Sequence, residues 1–231
     1  SYDYGFNTGP DQSQNGGIFD KLVSIFARKA GYHYGWDWGP RLVTSGIWRP
    51  VVLETWNGPK IDDVQVIQNE VNGAKADLTL IAEVLSDSDD NAKIEFKADG
   101  KSLASKEVAL KKGLNRIEVA AQVKKPRLWW PNGLGEPYLY DFTTTVTAAA
   151  GSDNNSQEIG LRSIKLHNDK DQYGHNLYFE VNGKPVFMKG VDMVPLDNFL
   201  PRITREKYEK HVLDAKNVNM NMIRVWAVSY T

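Results

Sequence analysis

The stretch Ala76-Asp77-Leu78-Thr79-Leu80-Ile81-Ala82-Glu83-Val84-Leu85 decides the fold that we expect for this chain. Side chains along a β-strand point alternately to its two faces, so apolar residues at every second position share one face. That face comprises Ala76, Leu78, Leu80, Ala82 and Val84. The pattern therefore predicts a strand with one side in a hydrophobic core.

Similar short runs surround this strand, with turn residues between them. Asp99-Gly100 is typical of a hairpin turn. Asn57-Gly58-Pro59 separates the runs from the segment before them, so we place a domain boundary there. We interpret the polar tract Gly151 to Ser156 as a hairpin loop. The other predicted strands are Ile61 to Gln68, Lys93 to Ala98, Leu103 to Leu110, Leu114 to Ala121, Tyr138 to Ala148 and Gln157 to His167. About seven short strands in succession predict an immunoglobulin-like β-sandwich.

The pattern changes after Phe179. A strand is predicted over Val186 to Val191, and a second, buried strand over Met222 to Trp226. Between them we expect a helix from Thr204 to Lys216, with Thr204 as its N-cap. The apolar face of that helix comprises Tyr208, Val212 and Ala215. Strand, helix and strand in this order predict a parallel α/β unit.

The segment before the predicted boundary is rich in aromatic residues. Lys21 to Ala30 and Ile47 to Trp56 have strand-like patterns, and between them lies Tyr32-His33-Tyr34-Gly35-Trp36-Asp37-Trp38-Gly39-Pro40. Flat rings offer apolar faces to a pyranose, and a carboxylate can accept hydrogen bonds from its hydroxyls, so this composition suits a sugar site. A buried packing cluster is the alternative.

Asp37 bears on that choice because a buried, unpaired carboxylate is costly. A neighbouring arginine, Arg41 or Arg49, would satisfy it, or a polyhydroxylated ligand would do so.

Three stretches resemble the β-mannosidases of glycoside hydrolase family 2, in the same order along the chain. Ala27 to Trp56, centred on Tyr34-Gly35-Trp36-Asp37-Trp38-Gly39-Pro40, resembles the end of the sugar-binding domain. The second stretch is Pro126-Arg127-Leu128-Trp129-Trp130-Pro131-Asn132-Gly133-Leu134-Gly135-Glu136-Pro137-Tyr138-Leu139-Tyr140. The third is Phe179-Glu180-Val181-Asn182-Gly183-Lys184-Pro185-Val186-Phe187-Met188-Lys189-Gly190 and continues to Trp226.

The resemblance implies a mainly β fold in three parts. Residues 1–57 would be the C-terminal part of a jelly-roll sugar-binding domain, and residues 58–167 the immunoglobulin-like β-sandwich. Residues 168–231 would be the first βαβ unit of a (β/α)8 TIM barrel, truncated after its second strand. Because two parallel strands and one helix leave edges unpaired, we expect the remainder of the barrel as a partner in the real molecule.

The function that the resemblance implies is that of an exo-acting retaining β-mannosidase, which hydrolyses terminal non-reducing β-D-mannose residues. Its two catalytic glutamates would follow the fourth barrel strand and lie near the seventh, so we expect neither in this chain, which alone should be inactive. Trp36 and Asp37 would bind the terminal mannose of an oligosaccharide substrate, and Trp226 would form one side of the sugar pocket. Arg224 would hydrogen-bond the nucleophile and keep it ionised. From the residues alone, Arg224 also fits a structural ion pair, and Trp226 also fits packing.

Two alternatives stay open. One is a different β-glycosidase of the same family, a β-galactosidase or β-glucuronidase, although Trp36-Asp37-Trp38 resembles the mannosidases specifically. The other is a non-catalytic carbohydrate-binding β-sandwich protein.

Composition narrows the remaining classes. A net charge of -1 over 231 residues gives no positive electrostatic field that would attract nucleic acid. No apolar run approaches the roughly 18 residues that a membrane span needs. The absence of cysteine excludes disulfides and thiolate metal sites. Asp169 to Glu180 has part of a calcium-loop pattern, but Tyr173 occupies a ligand position and the flanks predict strands, so we expect a solvated hairpin loop there. The resemblance implies no metal or cofactor, because the carboxylate chemistry of this family needs none. The bacterial periplasm, secretion and the lysosome all suit such an enzyme.

Overall fold

The computed structural model of this protein describes residues 28–226. The described chain divides into two compact units, one formed by Leu53–Met188 and the other by residues 28–52 and 189–226. The strands of the first unit are β1 (Lys60–Val71), β2 (Lys75–Ser86), β3 (Asp90–Ala98), β4 (Lys101–Leu110), β5 (Gly113–Lys124), β6 (Tyr140–Ala148), β7 (Gly151–Ile159), β8 (Ile164–His167), β9 (Tyr178–Val181) and β10 (Lys184–Val186). The described part of the second unit contains β11 (Gly190–Met193), helix α1 (Arg205–Asn217) and β12 (Met222–Val225).

The first unit contains the predicted β-sandwich. One sheet has the antiparallel order β1-β2-β5 and the other the antiparallel order β4-β3-β6-β7. The predicted apolar face of β2 is confirmed, since each of its five residues is at most 1% exposed. Across the core from them, the second sheet contributes Ile94, Phe96, Phe142 and Val146. Burial of these apolar side chains is the main favourable free energy that holds the sheets together.

The fourth strand lies in a different sheet from that of a constant-type immunoglobulin domain, in which it joins the first, second and fifth strands. Here β4 pairs with β3. The reason is local: Asp99 and Gly100 adopt φ values of 48° and 73°, which form a tight two-residue turn between adjacent antiparallel strands. The hairpin predicted at Asp99-Gly100 is therefore confirmed.

A tyrosine fixes the long connection that leads into β6. The hydroxyl of Tyr140, the first residue of β6, accepts a hydrogen bond of 2.8 Å from the Arg127 amide. This arrangement matches the tyrosine corner of immunoglobulin-like sandwiches.

The Trp129-Trp130 stretch packs on glycines. A Cβ atom at Gly160 would lie 2.7 Å from Cγ of Trp129, and one at Gly135 would lie equally close to Cγ of Trp130. Asn182 holds the neighbouring sheet β10-β9-β8 to this stretch, because its side chain donates to the Trp129 carbonyl at 2.9 Å.

Two predictions at the end of the sandwich were wrong. Gly151 to Ser156 is the first part of β7 rather than a loop, and Gln157 to His167 is interrupted at Gly160, so that β7 and β8 belong to different sheets. The polar composition led to the loop prediction. It is compatible with a strand because β7 is an edge strand, on which Ser152 and Asn154 are exposed to solvent.

The second unit contains the predicted strand–helix–strand, although its second strand is half-buried to exposed rather than buried. Strands β11 and β12 pair in parallel, with Gly190 opposite Met222. A Cβ atom at Gly190 would lie 2.6 Å from the Met222 carbonyl oxygen, so glycine permits this close approach. The hydroxyl of Thr204 accepts a hydrogen bond from the Lys207 amide, which confirms the N-cap. A barrel beyond this βαβ unit stays a prediction.

Three local predictions differ from the structure in or near this unit. The strand predicted over Val186 to Val191 is two strands, because the Lys189 amide donates to the Asn221 side chain instead of a ladder. Ile47 to Trp56 is not a strand, and within residues 28–226 no strand pairs with it. On α1, Ala215 is buried, whereas Tyr208 and Val212 are partly exposed. The prediction for Lys21 to Ala30 lies largely outside the described residues.

No helix in the part of the chain that the structure describes is both long and apolar enough to span a bilayer.

Candidate functional site

The aromatic loop forms a tight turn in the second unit. Residues Gly31–Tyr34 make one buried 3-10 turn, which ends at Gly35 with φ of 110°. The chain then reverses: the Trp36 amide donates to the Gly39 carbonyl at 2.8 Å, and the Gly39 amide donates back at 3.2 Å. Asp37 and Trp38 therefore lie at the tip of the turn.

Three tryptophans meet beside this turn. The ring of Trp226, directly after β12, lies edge-on to Trp36 with 5.3 Å between centroids, and edge-on to Trp38 with 5.5 Å. The Trp226 amide donates to the Met193 carbonyl at 3.1 Å, which anchors that ring to β11. The structure thus brings together Trp36 and Trp226, two of the predicted site residues, although they are far apart in the sequence.

Asp37 is exposed at the tip, while the tryptophans on either side of it are half-buried. Neither predicted arginine partner is directed to it. Arg41 donates to the Tyr34 carbonyl and lies over the Tyr34 ring, and the Arg49 guanidinium lies over Trp48. The carboxylate is therefore presented to solvent beside an aromatic surface, and exposure spares it the cost of desolvation.

Arg224, the fourth predicted site residue, forms an ion pair across the parallel strands. Its guanidinium donates to both carboxylate oxygens of Asp192, at 2.8 and 3.0 Å. The two residues are direct partners in the β11–β12 register. Both side chains are about half exposed, so the pair contributes little to stability and can rearrange.

His33 lies beneath the turn, where it is 6% exposed. Burial lowers its pKa, and the nearby Lys29 lowers it further, so the imidazole stays neutral near pH 7. Within the described residues its Nδ1 atom and the indole N–H of Trp38 are buried without hydrogen-bond partners.

Two residues of this site escaped sequence reasoning. The sequence marks Trp38 only as part of the aromatic motif, and its contact with Trp226 depends on the tertiary fold. Asn198 reaches the loop from a distant segment, and no pattern in the sequence indicates that contact.

The segment with the partial calcium pattern folds as a local turn. Asp171 accepts hydrogen bonds from the Tyr173 and Gly174 amides at 2.7 and 2.8 Å. Residues 28–226 contain no group of three or more side chains that could hold a metal ion.

Comparison with known proteins defines the class. The model described as "Glycosyl hydrolase 2 galactose-binding domain-like" matches residues 5–49, and the model "Glycosyl hydrolases family 2" matches residues 60–162. The chain belongs to glycosyl hydrolase family 2.

Curated relatives with similar sequences include two β-mannosidases. β-Mannosidase B of Aspergillus oryzae is 38% identical over 204 residues, which cover 86% of this chain and 24% of the relative. β-Mannosidase B of Thermothelomyces thermophilus is 36% identical over 217 residues, covering 91% of this chain and 25% of the relative. The chain thus spans about a quarter of the length of the curated relatives it matches.

Two solved structures from this comparison are similar to the chain as well. The crystal structure of β-D-mannosidase from Dictyoglomus thermophilum has a TM-score of 0.85 and 31% identity, covering 97% of this chain and 28% of that one. The exo-chitosanase of Amycolatopsis orientalis has a TM-score of 0.62 and 26% identity, covering 73% of this chain and 20% of that one.

Proposed function

We propose that this chain is part of an exo-acting retaining β-mannosidase that hydrolyses terminal non-reducing β-D-mannose residues of β-mannosides. The names of its relatives and the higher TM-score of the Dictyoglomus thermophilum β-D-mannosidase support the mannoside over other sugars. The other β-glycosidase activities of the family are the alternative.

One observation carries the proposal at the level of the site: an exposed carboxylate stands beside half-buried indoles. In this proposal Asp37 accepts hydrogen bonds from two hydroxyls of the terminal mannose, while Trp36 and Trp226 border the sugar. Hydrogen bonds to a charged acceptor are worth about 1.5–3 kcal/mol each, which suits a residue that fixes the orientation of a sugar. A turn that closes over the non-reducing end also accounts for exo action, because no further sugar fits beyond it.

Arg224 would act on the nucleophile. In its ion pair with Asp192, one guanidinium nitrogen donates to both carboxylate oxygens, so this side chain can bind a carboxylate. In the complete site it would hydrogen-bond the catalytic carboxylate and favour the ionised form.

The catalytic pair of a retaining glycosidase consists of two carboxyl groups about 5–5.5 Å apart. The proposal places both on later strands of a (β/α)8 barrel, so that residues 1–231 supply part of the binding subsite and not the pair. On its own, the 231-residue chain is expected to bind sugar at most.

The test combines intact mass spectrometry of the purified protein with hydrolysis of aryl β-mannoside, β-galactoside, β-glucuronide and β-glucosaminide. Turnover of the mannoside by material with a mass well above 26.0 kDa would support the proposal. The retaining mechanism predicts that NMR detects β-mannose as the first product. Preferential turnover of another glycoside, or α-mannose as the first product, would contradict it.

A further inference from the structure

A buried asparagine contacts the backbone at the end of the aromatic turn. Asn198 is 9% exposed, and its Nδ2 atom donates to the Pro40 carbonyl at 2.8 Å. Its Oδ1 atom lies 3.0 Å from the position that a Cβ atom at Gly39 would take. The amide therefore packs against the point where the chain leaves the turn.

The segment that carries Asn198 is itself firmly fixed. The Asp197 carboxylate accepts a hydrogen bond of 2.8 Å from the Phe199 amide, and Arg202 donates to both of its oxygens at 2.7 and 3.0 Å. Arg202 lowers the pKa of Asp197, so these bonds persist at neutral pH. Lys207 of α1 donates to the Leu196 carbonyl at 3.1 Å, which ties the segment to the helix.

The turn thus has two supports, which contact different parts of it. Trp226 contacts the rings of Trp36 and Trp38, whereas Asn198 holds the backbone at Gly39 and Pro40. Asp37 lies at the exposed tip of this turn, between the Trp36 and Trp38 that contact Trp226 and two residues before the Gly39 that packs on Asn198, so its position depends on both supports.

We infer that Asn198 is a positioning residue, which fixes the turn so that Asp37 meets the terminal sugar. This inference rests on the proposed function and deepens it. Loss of the amide leaves the Pro40 carbonyl without this donor and leaves a space beside Gly39, so the turn shifts without any change in the chemistry of Asp37.

The experiment measures kcat and KM for aryl β-mannoside in the whole enzyme that contains this chain. Asn198→Ala is expected to lower kcat/KM by about 10-fold to 100-fold, in keeping with the loss of a buried hydrogen-bond partner. In an Asp37→Ala background the same substitution should add less than about threefold, because residues that act through one another are not additive. Asn69→Ala is the matched control: Asn69 is exposed and its side chain donates to the Thr79 hydroxyl on the sandwich, so kcat/KM should not change.

A second variant separates positioning from folding. Asn198→Asp preserves size but removes the donor when ionised, and its carboxyl donates again when protonated. Its deficit in kcat/KM relative to wild type should therefore shrink as the pH falls, whereas a loss of folding alone would not recover in this way.

The outcomes are distinguishable. If Asp37→Ala lowers kcat/KM but Asn198→Ala does not, or if the two losses multiply, the positioning role is wrong and the proposed sugar site stands. If Asp37→Ala has no effect, the proposed sugar site itself is wrong.

Discussion

Gly160→Ala tests whether the packing of Trp129 holds the end of the sandwich together. A Cβ atom at residue 160 would lie 2.7 Å from Cγ, 2.8 Å from Cδ1 and 2.9 Å from Cβ of Trp129. These are positions near the base of the indole, so no rotation about the end of a flexible side chain relieves the overlap. The Trp129 ring has to move away from Gly160.

The expected cost follows from what that movement breaks. Overpacking of a fitted site costs about 1–3 kcal/mol. The Trp129 amide also donates to the Leu161 carbonyl at 2.9 Å, and loss of this bond costs about 1 kcal/mol. We therefore expect the free energy of unfolding of the sandwich to fall by about 2–4 kcal/mol.

Gly73→Ala is the matched control, because a Cβ atom there meets nothing within 4 Å. We expect it to change stability by less than about 0.5 kcal/mol. Hydrogen exchange measured by mass spectrometry on peptides from β2 and β6 reports the opening free energy of the sandwich, and the peptide with the Trp129 amide should lose protection first. Equal protection in the two variants would refute the reasoning.

Three further predictions concern the core, the buried histidine and the turn. Phe96→Ala should destabilise the sandwich by about 3–5 kcal/mol in chemical denaturation, because the side chain is 1% exposed and leaves a cavity; a change below 1 kcal/mol would contradict its place in the core. Burial lowers the pKa of His33, so the folded state resists protonation and stability should fall as the pH drops below the unfolded pKa of about 6.5. His33→Phe should therefore flatten the dependence of Tm on pH between about 7.5 and 5.5. An unchanged slope would contradict this role of His33. Asp37→Asn should leave Tm unchanged, since the carboxylate is exposed, yet lower kcat/KM for a β-mannoside about 10-fold or more. The control is Asp63→Asn, which changes another exposed carboxylate and should leave both quantities unchanged. A lower Tm with normal kcat/KM would assign Asp37 to folding instead.

The sequence predicted the structure correctly where a local pattern and the tertiary fold favour the same conformation. The alternation in β2 predicted its buried face, because a period of two leaves one register that hides the apolar residues. Asp99-Gly100 predicted a hairpin because both residues tolerate positive φ. Thr204 predicted the start of α1 because its hydroxyl satisfies a free amide of the first turn.

Local patterns gave wrong predictions where pairing with another segment determines the secondary structure. Gly151 to Ser156 has loop composition but forms β7, since β6 provides the hydrogen-bond ladder. The segment Ile47 to Trp56 has strand composition, but within residues 28–226 no strand pairs with it.

The same division holds for the site. The sequence by itself determined the chemistry: a carboxylate flanked by two indoles on a turn, and an arginine and a tryptophan two positions apart. Only the tertiary structure decided which of these groups meet, because parallel pairing of β11 with β12 carries Trp226 to the turn and places Arg224 opposite Asp192. The contact of Asn198 with Pro40 joins residues 158 positions apart, and a single hydrogen bond across such a distance leaves no periodic trace in the chain.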